Sequence, residues 1–411
     1  MTRRGVGAGV AVVLLWVAAH ALGVPQLQVA ALSLLVLLVG AVVWIIVSPL
    51  RLEVDRVVEP AVVPFGGRTR IALLVRNTGR VPSPSAWLED ALPGVLGQPR
   101  SYRLPVLVPH RMLDLATELD GVHRGRFVLG PLTVTVRDPF GLVQRRRSID
   151  STAVLTVHPP VWPLPPGVPL GGASGAVANG PRRATIHGDD LADIREYVRG
   201  DDLRAVHWAS TAHRGRLMVR RAEEATSPRA SLLLDIRRHR HAGAGPNSSF
   251  EVTVATAASI LHHLSGRGRG VTLLDRPTRE LAAPMPADAW MPTLAAVTPT
   301  EVDLHALLRQ VATGAAGEGT LIAVLTTPDP AELAALVRAG RGAASRLAVL
   351  VDAPTFAEAT AEDQALEQAI VGLRAAGWRV TTLAAGERLD ERWRELLGRG
   401  GARVPAGSAG R

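Results

Sequence analysis

Between Gly5 and Leu50 the chain contains no Asp, Glu, Lys or Arg. The run divides at "GVPQLQ" into two apolar blocks, 6–23 and 27–47, each close to the ~20 residues a helix needs to cross the hydrocarbon core. A charge-free run of this kind has few soluble solutions, and the short connection predicts a transmembrane helical hairpin over residues 1–50. Trp44 falls near a helix end, where aromatic anchors are common. Arg3 and Arg4 precede the first helix, Arg51 and Arg56 follow the second, and the turn is uncharged. Both ends are therefore expected on the cytoplasmic side, making this a multi-pass protein of the cell membrane with residues 51–411 cytoplasmic and lipid as one partner. A competing reading takes "RR", the first apolar run and "AHA" at Ala19–Ala21 as a cleavable signal peptide. The second helix would then stop transfer and leave the same residues in the cytoplasm.

With 411 residues there is room for two or three domains with full cores. The absence of cysteine removes disulfides, thiolate catalysis and cysteine-ligated zinc. All 46 basic residues are arginine, which GC-rich codon usage explains. The net charge of +9 is thus a poor argument for nucleic acid, although it suits a protein held against an anionic membrane face.

Residues 51–158 read as a β-sandwich domain. "TRIALLVRN" (69–77), "LTVTVRD" (132–138) and "TAVLTVHP" (152–159) are β-branched runs separated by glycine-rich turns. His110, His123 and His158 are scattered among strand ends and lack the convergent partners a metal needs. A Pro/Gly-rich linker follows at 159–181. Beyond it, from 182 to 411, continuous apolar strands alternate with amphipathic helices, the pattern of a parallel, doubly wound α/β sheet. The predicted strands are 230–235, 270–275, 320–326, 346–352 and 378–384, with helices at 250–264, 330–339 and near 356–376. Three strands end in aspartate, at Asp235, Asp275 and Asp352. Such residues sit where cations bind, but aspartate also leaves strands and caps helices.

The run "GDDLADIREYVRGDDLRAVHWASTAHRGRLMVRRAEE" (188–224), followed by "ASLLLD", resembles the signature of the bacterial family called domain of unknown function 58. "RNTGRVPSPSAWLEDALPG" and "RGRFVLGPLTVTVRDPFGLVQRRR" are similar to that family's β region, as is the helix pair. The resemblance implies a von Willebrand factor A-like C-terminal domain and a MoxR-type AAA+ ATPase as partner. It also implies a metal held by Asp-x-Ser-x-Ser after the first strand. Here that stretch is "DIRRH": Asp235 is kept, but Arg237 and His239 replace the hydroxyl ligands. Thr326, Thr327 and Asp329 in "LTTPDP" offer oxygens at a neighbouring strand end, yet the expectation is a degenerate site and no cofactor.

Within the signature, "DDLADIREYV" is predicted as a helix capped by Asp189 or Asp190. A second helix, "LRAVHWASTAH", is capped by Asp201 or Asp202 and ended by Gly215, and "RLMVRRAEE" is extended. Leu203, Val206 and Trp208 are expected to include core contacts. Nine arginines and eight acids between 181 and 224 nearly balance, unlike the one-sided stripe that grips nucleic acid, so none is expected as partner. Arg195, Arg199, Asp201, Asp202, Arg204, Arg214 and Arg216, with Gly200, His207, Trp208 and Gly215, are read as an internal network with an exposed remainder for docking. The rival is a metal-assisted hydrolase using His187, Asp189, His207 and His213, but their spacing matches no ligand or nucleophile motif. The expectation is a non-enzymatic, membrane-anchored adaptor.

Overall fold

The computed structural model describes residues 1–48, 50–166, 194–197, 206, 208–220, 230–266, 270–278, 283–312, 319–357 and 364–398. The chain divides into two compact units, Met1–Pro160 and Val161–Arg411.

In the first unit, α1 (Arg3–Leu22) and α2 (Pro25–Val47) pair as a hairpin, and both are long and apolar enough to cross a membrane. Gly23 closes α1 in the left-handed conformation, and Pro25 opens α2 at a position where its missing N–H costs nothing. Ten strands follow: β1 (Leu52–Glu59), β2 (Val62–Val63), β3 (Arg68–Asn77), β4 (Ala86–Asp90), β5 (Arg100–Leu104), β6 (Met112–Asp120), β7 (Gly125–Leu129), β8 (Leu132–Arg137), β9 (Gln144–Ile149) and β10 (Ala153–Val157). They form three sheets, ordered β1-β3-β6, β2-β10-β7 and β5-β4-β8-β9. Alternation on β3 buries Thr69, Ile71, Leu73, Val75 and Asn77 and turns the residues between them outward or to partial exposure.

One ion pair joins all three sheets. Arg56 of β1 forks onto Asp90 of β4 with bonds of 3.0 and 2.6 Å, and its Nε donates to the Ser151 carbonyl, just before β10, at 3.1 Å. Both side chains are fully buried.

The hairpin is docked on its own β unit at both ends. Thr2 N donates to the Leu142 carbonyl at 3.0 Å, and its hydroxyl bonds the Gly141 carbonyl at 2.6 Å. At the other end the Arg51 carbonyl accepts from Thr78 N at 2.9 Å, and Arg147 reaches the Leu50 carbonyl at 3.2 Å.

The second unit begins with Val161, and Trp162 and Leu164 of the expected linker pack against its core; 167–193 lie outside the described residues. Its elements are β11 (Ile194–Glu196), α3 (Trp208–Arg214), β12 (Met218–Arg220), β13 (Ala230–Leu234), α4 (Ser249–Ser265), β14 (Gly270–Leu274), β15 (Met285–Pro286), α5 (Met291–Ala296), α6 (Leu304–Gln310), β16 (Thr320–Thr326), α7 (Pro330–Ala339), β17 (Ser345–Val351), α8 (Gln364–Ala375), β18 (Arg379–Leu383) and α9 (Leu389–Gly398). The main sheet is ordered β15-β14-β13-β16-β17-β18 and is parallel except for β15.

Successive residues of its strands enter opposite cores. Leu232, Leu234, Ile322 and Val324 pack with Val254, Ile260 and Leu261 of α4 and Trp393 of α9. Leu233, Leu321, Ala323 and Leu325 pack with Leu307 of α6, Leu336 of α7 and Leu373 of α8. Helices thus cover both faces, which is why these strands read as unbroken apolar runs.

The expectation of a helix over the start of the signature segment is corrected. Ile194–Glu196, read as part of a capped helix, pairs antiparallel with Met218–Arg220, a partner that local cap signals do not reveal. The helix expected near 356–376 is present as α8, preceded by a 3₁₀ turn at Ala353–Phe356, with 358–363 outside the described residues.

Gly5 provides a test of the hairpin's docking. A Cβ there would stand 2.0 Å from the Leu142 carbonyl oxygen, whereas one at Gly7 meets nothing within 4 Å. Gly5→Ala is expected to lower the Tm of the detergent-purified protein by an amount equivalent to about 1–3 kcal/mol of overpacking, and Gly7→Ala to leave it unchanged or slightly raised.

Candidate functional site

Asp235 follows β13 and Thr326 ends β16, adjacent parallel strands where the chain order reverses. In open α/β sheets the crevice at such a switch point is where ligands bind. Here Arg237 occupies it. Thr300 N donates to the Ile236 carbonyl at 2.8 Å and Arg238 N to the Thr300 carbonyl at 3.1 Å, which turns Arg237 inward to 2% exposure. Its Nε donates to Asp235 Oδ1 at 2.8 Å and its Nη2 to Oδ2 at 2.7 Å, while Nη1 donates to Glu332.

The Asp235 carboxylate has no capacity left. Oδ1 also accepts from Arg237 N at 3.1 Å, and Oδ2 from the Thr326 amide and hydroxyl at 3.2 and 2.8 Å. Five donors thus meet the roughly four lone-pair sites a carboxylate offers. The divalent-cation site implied by the family resemblance does not fit these residues, because the ligand oxygens are consumed and a guanidinium lies among them. Among the described residues no group of three or more His, Asp or Glu is arranged to hold a metal.

Around this pair the network widens. Glu332 accepts from Arg240 at 3.3 Å and from Asp329 N at 2.9 Å; Asp329 accepts in return from Glu332 N at 2.8 Å, a reciprocal capping box that starts α7. Arg240 also reaches Asp329 at 3.4 Å. His241 Nε2 faces the Asp235 carbonyl at 3.1 Å, so that nitrogen carries the proton, and Nδ1 accepts from the Ser249 hydroxyl at 3.2 Å. Ser249 Oγ in turn accepts from Ala242 N at 2.8 Å, and Phe250 meets the imidazole edge-on. Burial alone would raise the Asp235 pKa, but the hydrogen bonds and charge of Arg237, with Thr326, hold it below the usual carboxylate range. Burial pushes the His241 pKa down, and the pull of Asp235 does not restore it.

The residues singled out from sequence separate into three groups. Asp235, Arg237, Thr326 and Asp329 come together, joined by Glu332, Arg240 and His241, which sequence reasoning missed. The Asp329/Glu332 spacing was a legible cap signal, but its second role was not. His239 turns away to an exposed contact with Glu301 at 3.2 Å. Asp275 pairs with Arg276 at 3.0 Å, and the Asp352 carbonyl caps the turn that follows it.

In the signature segment, Arg199, Gly200, Asp201, Asp202, Leu203, Arg204 and His207 lie outside the described residues, as do His187 and Asp189. Arg195 is placed on β11, opposite Val219. Val206 is buried, but Trp208, expected to contribute to the core, is 70% exposed at the start of α3. Arg214 and His213 are exposed, Gly215 ends the helix at φ +68, and Arg216 makes an exposed 3.5 Å contact with Glu196. Pairs of that kind contribute ~0–1 kcal/mol.

Three outcomes follow for the buried cluster. Arg237→Ala leaves Asp235 and Glu332 buried without their counter-charge, and urea unfolding is expected to show a loss of about 3–5 kcal/mol; Mg²⁺ is expected to leave the wild-type Tm unchanged. His241 is held neutral in the fold but takes up a proton in the unfolded chain from about pH 6.5 downward. Its contribution is complete above that pH and is lost as pH falls through 6.5 toward the lower folded value. His241→Gln is expected to flatten the fall in Tm between pH 7 and pH 5 relative to wild type.

Among known proteins, the chain is 25% identical over 231 residues to the Uncharacterized protein YeaD of Bacillus subtilis, covering 55% of this chain and 56% of that protein, so it spans little more than half the relative's length. Among solved structures, the CARDB domain of the PF1109 protein from Pyrococcus furiosus is similar over 26% of this chain and 91% of its own, with a TM-score of 0.20 and 18% identity. The alkylpurine DNA glycosylase AlkC of Pseudomonas fluorescens is similar over 34% of this chain and 37% of its own, with a TM-score of 0.19 and 17% identity. Likenesses at such scores bear on neither fold nor function. The family model described as Protein of unknown function DUF58 matches residues 193–293, the segment that holds α3, β13 and the Asp235–Arg237 pair.

Proposed function

We propose that this chain is a membrane-anchored, non-enzymatic adaptor. The hairpin spans the cell membrane, residues 51–411 are cytoplasmic, the β unit is a sandwich acting as a spacer, and the α/β unit is a von Willebrand A-like domain that docks a protein partner. Family resemblance points to a MoxR-type AAA+ ATPase as that partner, acting in the assembly or remodelling of a protein complex.

The observation that carries the reading is the exposure of Trp208, Arg214 and Arg216, all within the segment matched by the family model. Tryptophan and arginine are the residues most enriched at binding hot spots, and a tryptophan 70% exposed on a short helix gains most by being covered. The occupied switch-point crevice supports the same reading, since a guanidinium locked between carboxylates presents neither a free base nor an open ligand position. The mixed charge of the segment suits a protein surface better than nucleic acid.

The test is retention of a MoxR-type ATPase from the same genome on the full-length protein in detergent. Trp208→Ala and the Arg214→Ala/Arg216→Ala double variant are expected to reduce retention at least tenfold, equivalent to ~1.4 kcal/mol, with unchanged melting. Equal retention by wild type and both variants would remove the docking role.

A further inference from the structure

The β unit exposes apolar side chains at the end that carries the hairpin, where they are joined by arginines without carboxylate partners. Three loops meet there. Loop 78–84 is tied to the exit of α2 by Thr78, whose N–H and hydroxyl both bond the Arg51 carbonyl, at 2.9 and 3.2 Å. Loop 105–111 is tied to the first, because Ser83 N and Asn77 Nδ2 both donate to the Leu107 carbonyl, at 2.9 and 2.8 Å. Loop 138–143 receives Thr2 at the start of α1.

Inward residues of these loops, Leu107, Leu142 and Val143, are buried in the core that also takes Ala41 and Ile45 of α2. The outward ones are Val81, Val106, Val108 and Phe140, each between 48% and 59% exposed. Side chains of this size gain nothing from water, and the loops that carry them expose arginine but no carboxylate. Loops 78–84 and 105–111 contain no acid. The one carboxylate of 138–143, Asp138, is buried and committed to the amides of Phe140 and Val143. Arg3, Arg4, Arg51, Arg80 and Arg111 are all exposed. Among the described residues none of the five pairs with a carboxylate, whereas Arg68 and Arg70, toward the opposite end of β3, pair with Asp120 and Asp114.

The height of this rim follows from helix length. The 23 residues of α2 rise about 35 Å at 1.5 Å each, a few ångström more than the ~30 Å hydrocarbon core, so its last turn stands among the headgroups. Leu107, Leu142 and Val143 share a buried core with Ile45 of that turn, which brings their loops to the same level.

We propose that loops 78–84, 105–111 and 138–143 form a membrane-seated rim, with Val81, Val106, Val108 and Phe140 inserted at the headgroup boundary and the unpaired arginines bound to anionic phospholipid. The inference rests on the membrane-anchored reading above and extends it from the helices to the β unit. Apolar burial and arginine attraction to anionic lipid act together at such a boundary.

The chain has no cysteine, so a single introduced one carries a spin label without background. Full-length Val106→Cys and Phe140→Cys would be labelled in nanodiscs of phosphatidylcholine with phosphatidylglycerol, and of phosphatidylcholine alone. Val36→Cys on the exposed side of α2 serves as the lipid reference, and Val122→Cys, at the far end of the β unit, as the aqueous one. The expected result is a ratio of oxygen to nickel-chelate collision at 106 and 140 several-fold above that at 122, increasing further when phosphatidylglycerol is present. Labels at 106 and 140 that match 122 in both lipids, while 36 reports lipid, would overturn the rim and leave the anchored reading standing. A label at 36 that reports water would overturn both. Insertion that ignores phosphatidylglycerol would overturn the arginine contribution.

Discussion

The α/β unit is organised around one buried guanidinium. Arg237 holds the end of β13 through Asp235, the end of β16 through the shared contact with Thr326, and the first turn of α7 through Glu332. Each of those elements leaves polar groups at its end that burial would otherwise penalise. The arginine satisfies them together and places its own charge between two carboxylates. A divalent ion at the same switch point would tie the same strand ends by coordination; here the cation is part of the chain.

Lysine would not serve in that position, nor at Arg56. Both sites use the planar fork, with parallel bonds to one carboxylate and a third donor for a further acceptor, Glu332 in one unit and the Ser151 carbonyl in the other. An ammonium offers a point charge without that geometry. The lysine-free composition, explained by codon usage, therefore carries a structural consequence in each unit.

Much of the fold was legible because its signals are local. The charge-free run gave the hairpin, the apolar runs ending in Asp235 and Thr326 gave the central strands, and Asp329, Pro330 and Glu332 marked the start of α7. Long-range pairing was not legible. Ile194–Glu196 carries helix-like cap chemistry upstream, yet it pairs with Met218–Arg220 across more than twenty residues. The same holds for the site: Asp235 and Arg237 stand two apart, but Glu332 joins them from 95 residues away, and nothing local to it distinguishes a cap from a counter-ion. Trp208 shows a further limit, since an aromatic residue in a helical pattern reads as core whether or not anything covers it.

The hairpin's two docking points have a mechanical meaning. A domain hung from a single span by a free linker can swivel about the membrane normal, and its faces are averaged over all azimuths. Here Thr2 and Arg51 are hydrogen-bonded to different loops of the same β unit, one at each end of the hairpin. Two such points define a line, and rotation about either helix is blocked by the other. A torque applied to the β unit is thus delivered to the helix pair as a whole, and the hairpin behaves as a keyed shaft instead of a tether.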